Sequence, residues 1–95
     1  MLTIWKFPLA MADQQTFVAP PPFTVLHVDV QRFGDEIRLC IWAIVDDDLD
    51  RETHVVEIYR TGGRLADPDR REYLGTVPVG DCVWHVFEVF DFSGS

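Results

Sequence analysis

Four of the eight Lys and Arg side chains in this acidic sequence fall close together, as Arg60, Arg64, Arg70 and Arg71. The first two bracket Thr61, Gly62 and Gly63, and that combination suits an anion. Guanidinium groups bind phosphate in bidentate fashion, glycines allow close approach of backbone N–H groups, and a threonine hydroxyl adds a further partner. Arg60, Thr61, Gly62, Gly63, Arg64, Arg70 and Arg71 are therefore the candidate ligand-binding residues, for a small phosphorylated molecule and with the loops of two subunits able to combine. The full phosphate-loop pattern is absent. A competing reading pairs the arginines with Asp67, Asp69 and Glu72 on the surface, where ion pairs contribute little.

Asp46, Asp48, Asp50 and Glu57 occupy the first, third, fifth and twelfth positions of a calcium-loop template. Arg51 then stands where the template needs glycine, and the flanking segments alternate like strands instead of helices. A solvated acidic turn between strands fits better. His27, His54, His85, Cys40 and Cys82 lack the close paired spacing of a zinc site, and Cys82 and His85, three apart on a strand, point to opposite faces. Structural roles are expected for all five; His85 is expected to pack beside Trp84 and Phe87 with a ring nitrogen bonded to a backbone or carboxylate group. No catalytic set, metal site or cofactor is expected, and the chain reads as non-enzymatic.

The elements that must hold these residues are short. Thr3 to Phe7, ended by Pro8, and Gln14 to Val18, closed by Pro20 to Pro22, read as strands. From Phe23 to Gln31 the side chains alternate, with Leu26, Val28 and Val30 on one face. Gly34 and Asp35 turn the chain into Glu36 to Asp46, which is apolar on both faces and so suggests a central strand or one covered by a partner subunit. Thr53 to Arg60, Tyr73 to Val79 and Cys82 to Phe90 complete the set. Gly80 and Asp81 make a tight hairpin of the last two, and Arg64 to Arg71 is a polar loop. With no helical period and no room for crossover helices, the expected fold is mainly β. Six or seven mostly antiparallel strands curl into a small sandwich or a partly open barrel. Residues 1–90 are expected to form one domain and 91–95 a loose tail.

A chain of 95 residues with 47% apolar residues holds one core and no second domain. Its net charge of −8 opposes direct binding to nucleic-acid backbones, which needs clustered cations. The same charge suits a basic or small partner, including mimicry of nucleic acid in a basic groove. No stretch has the length to span a bilayer, and Lys6 and Pro8 interrupt the short apolar start, so no signal peptide is indicated and a cytoplasmic location is the default expectation. Cys40 and Cys82 sit in apolar runs, where reduced thiols pack as small hydrophobes. Three tryptophans are many for this size; Trp5, Trp42 and Trp84 are interface candidates, with at least one expected at a subunit or partner contact.

Four blocks carry a wider resemblance: Thr3-Ile4-Trp5-Lys6-Phe7-Pro8-Leu9, Ile41-Trp42-Ala43-Ile44-Val45-Asp46, Tyr73-Leu74-Gly75-Thr76-Val77 and Val83-Trp84-His85-Val86-Phe87-Glu88. Over nearly its whole length the chain resembles a family of small uncharacterised proteins of bacteriophages and bacterial genomes. It departs from that family at Arg60-Thr61-Gly62-Gly63, where the family has a Gly-Thr-Gly turn. The resemblance implies a phage or prophage setting, in the host cytosol, and no stated chemistry. Small phage proteins often act by capture, which leads to two expectations: a homo-oligomeric accessory protein that sequesters a phosphorylated nucleotide immune signal to counter host defence, or an acidic inhibitor that presents Asp46 to Glu52 to a basic host surface.

Overall fold

Backbone hydrogen bonding turns the alternating segments into seven strands in a computed structural model that describes residues 1–90. They are β1 (Leu2–Leu9), β2 (Gln14–Ala19), β3 (Thr24–Phe33), β4 (Glu36–Asp46), β5 (Glu52–Arg60), β6 (Arg71–Val79) and β7 (Cys82–Val89). One turn of 3-10 helix, Pro68–Arg70, precedes β6. Two antiparallel sheets result, one of three strands in the order β1-β4-β3 and one of four in the order β2-β5-β7-β6. They do not close into a barrel. The expected 91–95 tail lies outside the described residues. No helix among the described residues is long and apolar enough to cross a membrane.

The two sheets share one core. Leu39, Ile41, Ala43 and Val45, alternate residues of β4, meet Val56 and Ile58 of β5, Val77 of β6 and Val86 of β7. Leu39, Ile41, Val45, Val56, Val77 and Val86 are at most 1% exposed, and each such side chain contributes about 1.5–3 kcal/mol by leaving water. Gly34 and Gly80 occupy the first central position of two-residue hairpin turns at φ 63° and 59°, a backbone region that side-chain-bearing residues avoid.

Three local departures from simple alternation matter. β1 runs through Pro8 to Leu9, because an edge strand tolerates a residue without an N–H on its unpaired side. β3 shifts register against β4 between Val25 and His27. That bulge sends Leu26 outward, 51% exposed, and Val25 packs against the core in its place; the expected sharing of one face by Leu26, Val28 and Val30 is corrected accordingly. A matching shift in β6, between Tyr73 and Gly75, lets the two sheets touch at one edge. A Cβ added to Gly75 would lie 2.1 Å from Val28 Cγ2.

Candidate functional site

Val56 and Ile58 of β5 face the core, so Glu57 and Tyr59 project from the outer surface of the four-stranded sheet. Cross-strand register sets Tyr59 beside His85, and Glu57 and Tyr73 on either side of Phe87. The Tyr59 and Tyr73 rings meet Phe87 at centroid distances of 5.8 and 5.6 Å, both edge-on. The chain then turns at Thr61 and Gly62. Gly63 N–H donates to the Arg60 carbonyl at 2.9 Å, and Gly62 sits at φ 87°. Residues 61–70 are all exposed, and the 3-10 turn at their end returns the chain to β6.

Arg60 lines several hollows beside this loop, and two of them also take in Tyr59 and Gly63. The smaller, about 220 Å³, lies among the rings of Tyr59, His85 and Phe87, with Thr61, Gly62, Gly63 and Leu65 beside them. The larger, about 640 Å³, opens where β2 stops short along β5, against Trp84, Ile58, Asp13 and Gln14. His85 connects loop to sheet. Its Nε2 lies 2.8 Å from Thr61 Oγ1 and its Nδ1 3.1 Å from Thr76 Oγ1, which in turn bonds the Tyr73 hydroxyl. A neutral imidazole donates from one nitrogen and accepts at the other, and each hydroxyl can supply the complementary role. His85 thus shares its face with Phe87 and not with Trp84, and its partners are two threonines, not the backbone or carboxylate group expected.

The four arginines divide into two kinds. Arg70 pairs with Asp67 at 3.3 Å. Arg71 Nε donates to Glu57 Oε1 at 2.7 Å and to the Tyr59 hydroxyl at 3.2 Å, and its Nη1 donates to the Asp67 carbonyl. Arg60 and Arg64 are exposed and have no ion pair or hydrogen bond from their side chains among the described residues. Arg70 and Arg71 therefore brace the loop, whereas Arg60 and Arg64 are solvated.

The Arg71–Glu57 pair is nearly buried, with side chains 12% and 13% exposed. Burial works to raise the Glu57 pKa, but the hydrogen bonds from Arg71 and Tyr59 outweigh it and hold the carboxyl below its ordinary value. Arg71→Ala is expected to cost about 2–3 kcal/mol, because it leaves a shielded carboxylate uncompensated. A group with a depressed folded pKa stabilises fully above its unfolded value, and that contribution fades as pH falls through the lower folded value. Urea unfolding across the acid range should then show a shallower loss of stability in Arg71→Ala than in the wild type.

The other sequence candidates are dispersed. Trp5 packs against the core with Arg51 5.3 Å from its ring, Trp84 lines the larger hollow, and Trp42 stands on the outside of the three-stranded sheet 5.5 Å from His27. Cys40 is buried and Cys82 exposed, both free thiols, and burial raises the Cys40 pKa. Asp46, Asp47 and Asp48 converge on the Met1 ammonium, at 2.8, 3.4 and 2.5 Å, and those bonds push its pKa up to about 11. Glu57, the twelfth position of the calcium template, is engaged by Arg71 instead.

One charged pair escaped the sequence reading. His54 Nδ1 lies 2.8 Å from Glu88 Oε2, with side chains 14% and 8% exposed, and His54 packs against the rings of Phe17 and Phe23 at 5.5 and 4.4 Å. Its Nε2 approaches the Ala19 carbonyl at 3.3 Å. The available signal was parity: Glu88 falls two residues after inward-facing Val86. The Glu88 carboxylate raises the His54 pKa against the opposing effect of burial.

A family model described as "Domain of unknown function (DUF7352)" matches residues 1–93. No curated protein and no solved structure matches the chain.

Proposed function

We propose that this chain, which belongs to the DUF7352 domain family, is a non-enzymatic capture protein whose β5–β6 loop takes a small phosphorylated ligand, with a nucleotide as the best-suited class. The observation that carries this reading is the unneutralised guanidinium group of Arg60 on a hollow walled by aromatic rings, with a second exposed and unneutralised arginine, Arg64, in the same loop. In a chain of net charge −8, cations left without carboxylate partners favour an anion that they can grip in bidentate fashion. Tyr59 and Phe87 offer ring surface to a base, and base–aromatic stacking is worth about 1–3 kcal/mol. The exposed Gly62 backbone supplies an uncharged donor, and the Thr61 hydroxyl supplies a second when it accepts from His85 Nε2. In a phage or prophage setting, within the host cytosol, such capture would withdraw a phosphorylated nucleotide immune signal from antiviral defence.

The test is calorimetric titration of a panel of mono-, di- and cyclic nucleotides into the wild type and into Arg60→Glu with Arg64→Glu. Binding should fall by at least about tenfold per charge reversed, while the thermal midpoint stays nearly unchanged because both side chains are solvated. Recovered ligand should be chemically intact by mass spectrometry. Equal binding by the variant, or no binding of any nucleotide by the wild type, would remove the loop from consideration. The alternative of an acidic inhibitor presenting Asp46 to Glu52 has weaker support, since Asp46, Asp47 and Asp48 are drawn onto a single ammonium group.

A further inference from the structure

Glu88 is the only buried charged residue among those described. It lies on the inward side of β7, opposite Val56 of β5, with its side chain 8% exposed and its Oε2 2.8 Å from His54 Nδ1. Oε1 accepts no hydrogen bond among the described residues, yet it is not sealed from solvent. A carboxylate oxygen held this deep calls for a donor, because most of the water around it has been removed. The ladder with β6 sets Glu72 directly opposite Glu88 on the same face. Like charges so placed repel unless a cation stands between them.

Both carboxylates border a hollow of about 340 Å³ at the edge where the two sheets meet. Phe23, Val25 and Leu74, which pack with the core, make its apolar side, and Thr24 stands at its exposed rim. The hollow shares no lining residue with those beside the β5–β6 loop, so its occupant is independent of the ligand proposed above. His54 holds its proton more firmly than an ordinary histidine because of Glu88. With that proton in place, His54, Glu88 and Glu72 leave one net negative charge beside the hollow, and Glu52, which also acts on His54, adds to it.

A bare metal ion suits this hollow poorly. Among the described residues, the only three His, Cys, Asp or Glu side chains whose ligand atoms converge closely enough for one ion are Asp46, Asp47 and Asp48. An ammonium group on an alkyl chain suits it well. Its N–H donors can reach carboxylates on two sides, while the chain lies along apolar wall as a lysine stem does. The structure assigns this hollow to a primary alkylammonium ion, whose nitrogen donates to Glu88 Oε1 and to the Glu72 carboxylate and whose chain packs on Phe23, Val25 and Leu74. Such a group reaches the hollow either as a free small amine or as a lysine side chain.

Heteronuclear NMR titration with butylammonium chloride tests this. The Val25, Leu74 and Glu88 signals should move along a saturating curve. Glu72→Gln should weaken that binding by about tenfold, with a thermal midpoint equal to or above that of the wild type, because it also removes a like-charge pair. Asp35→Asn, which takes one negative charge from the exposed β3–β4 turn, should bind as the wild type does. Tetramethylammonium has the same charge and no N–H, and it should bind about tenfold or more weakly. Tighter binding of 1,4-diaminobutane than of Nα-acetyl-lysine methylamide identifies a free amine as the source, and the reverse order a lysine side chain; either supports the ammonium site. No saturable shift at these residues, equal affinity in Glu72→Gln, or equal binding of tetramethylammonium overturns the assignment.

Discussion

Replacing Gly75 by alanine is expected to destabilise the protein by about 2–3 kcal/mol, and replacing it by valine to prevent folding. The single methyl group of alanine would occupy a position 2.1 Å from Val28 Cγ2 and 3.5 Å from Val28 Cβ. Val28 is 6% exposed and sits in the core cluster, so it has little room to yield without disturbing its neighbours. The contact falls where β3 and β6, the edge strands of different sheets, come together without pairing. Trimming the other side should relieve it: Gly75→Ala with Val28→Ala should be more stable than Gly75→Ala alone, with a coupling of at least about 1 kcal/mol in a double-mutant cycle. Urea unfolding measures all four proteins. A Gly75→Ala protein as stable as the wild type would mean that the two sheets are not in contact at this edge.

Loss of Glu88 is expected to have a comparable effect. Glu88→Ala strands His54 in a site lined by Phe17, Phe23 and the Ala19 carbonyl, and breaking a buried pair from one side costs about 3–5 kcal/mol. The pH dependence follows from the direction of the shift. His54 holds its proton above its ordinary value of 6.5 in the folded protein, chiefly through Glu88, with Glu52 adding to the effect. A raised folded pKa contributes stability that is complete below the unfolded value and is lost as pH rises through the folded one. Wild-type stability should therefore decline on the alkaline side of 6.5, and Glu88→Gln should flatten that decline. Glu52, and Glu72, which is exposed on β6 and opposite Glu88 in the ladder, are the other carboxylates nearby and remain in both proteins. Denaturant midpoints measured from mildly acidic to mildly alkaline pH decide the matter, and parallel curves for the two proteins would rule out His54 as the titrating group.

Much of the architecture was legible along the chain, because each strand carries its own evidence. Two-residue alternation marked Glu36 to Asp46 to the residue, Gly34 and Gly80 marked the two hairpin turns, and the proline run after β2 marked a break. The apolar outer side of β4 was visible in the same alternation. What lies against that side was not, since a period assigns a side chain to a face without saying what stands opposite.

The candidate site was legible to a lesser degree. Composition alone pointed to the arginine-bearing loop, but it could not separate Arg60 and Arg64 from Arg70 and Arg71. That division depends on β5, β7 and β6 lying side by side, which sets Arg71 against Glu57 across the sheet. The threonine partners of His85 and the His54–Glu88 pair arise in the same way, from strands brought together at long sequence separation. The bulges in β3 and β6 are also cooperative features, for each strand shifts by one residue where the sheets meet at Val28 and Gly75. Local periodicity and turn chemistry thus determined which residues form strands and where the chain reverses. Only the tertiary structure decided which charges neutralise one another and which stay available, because pairing is a property of register between distant segments.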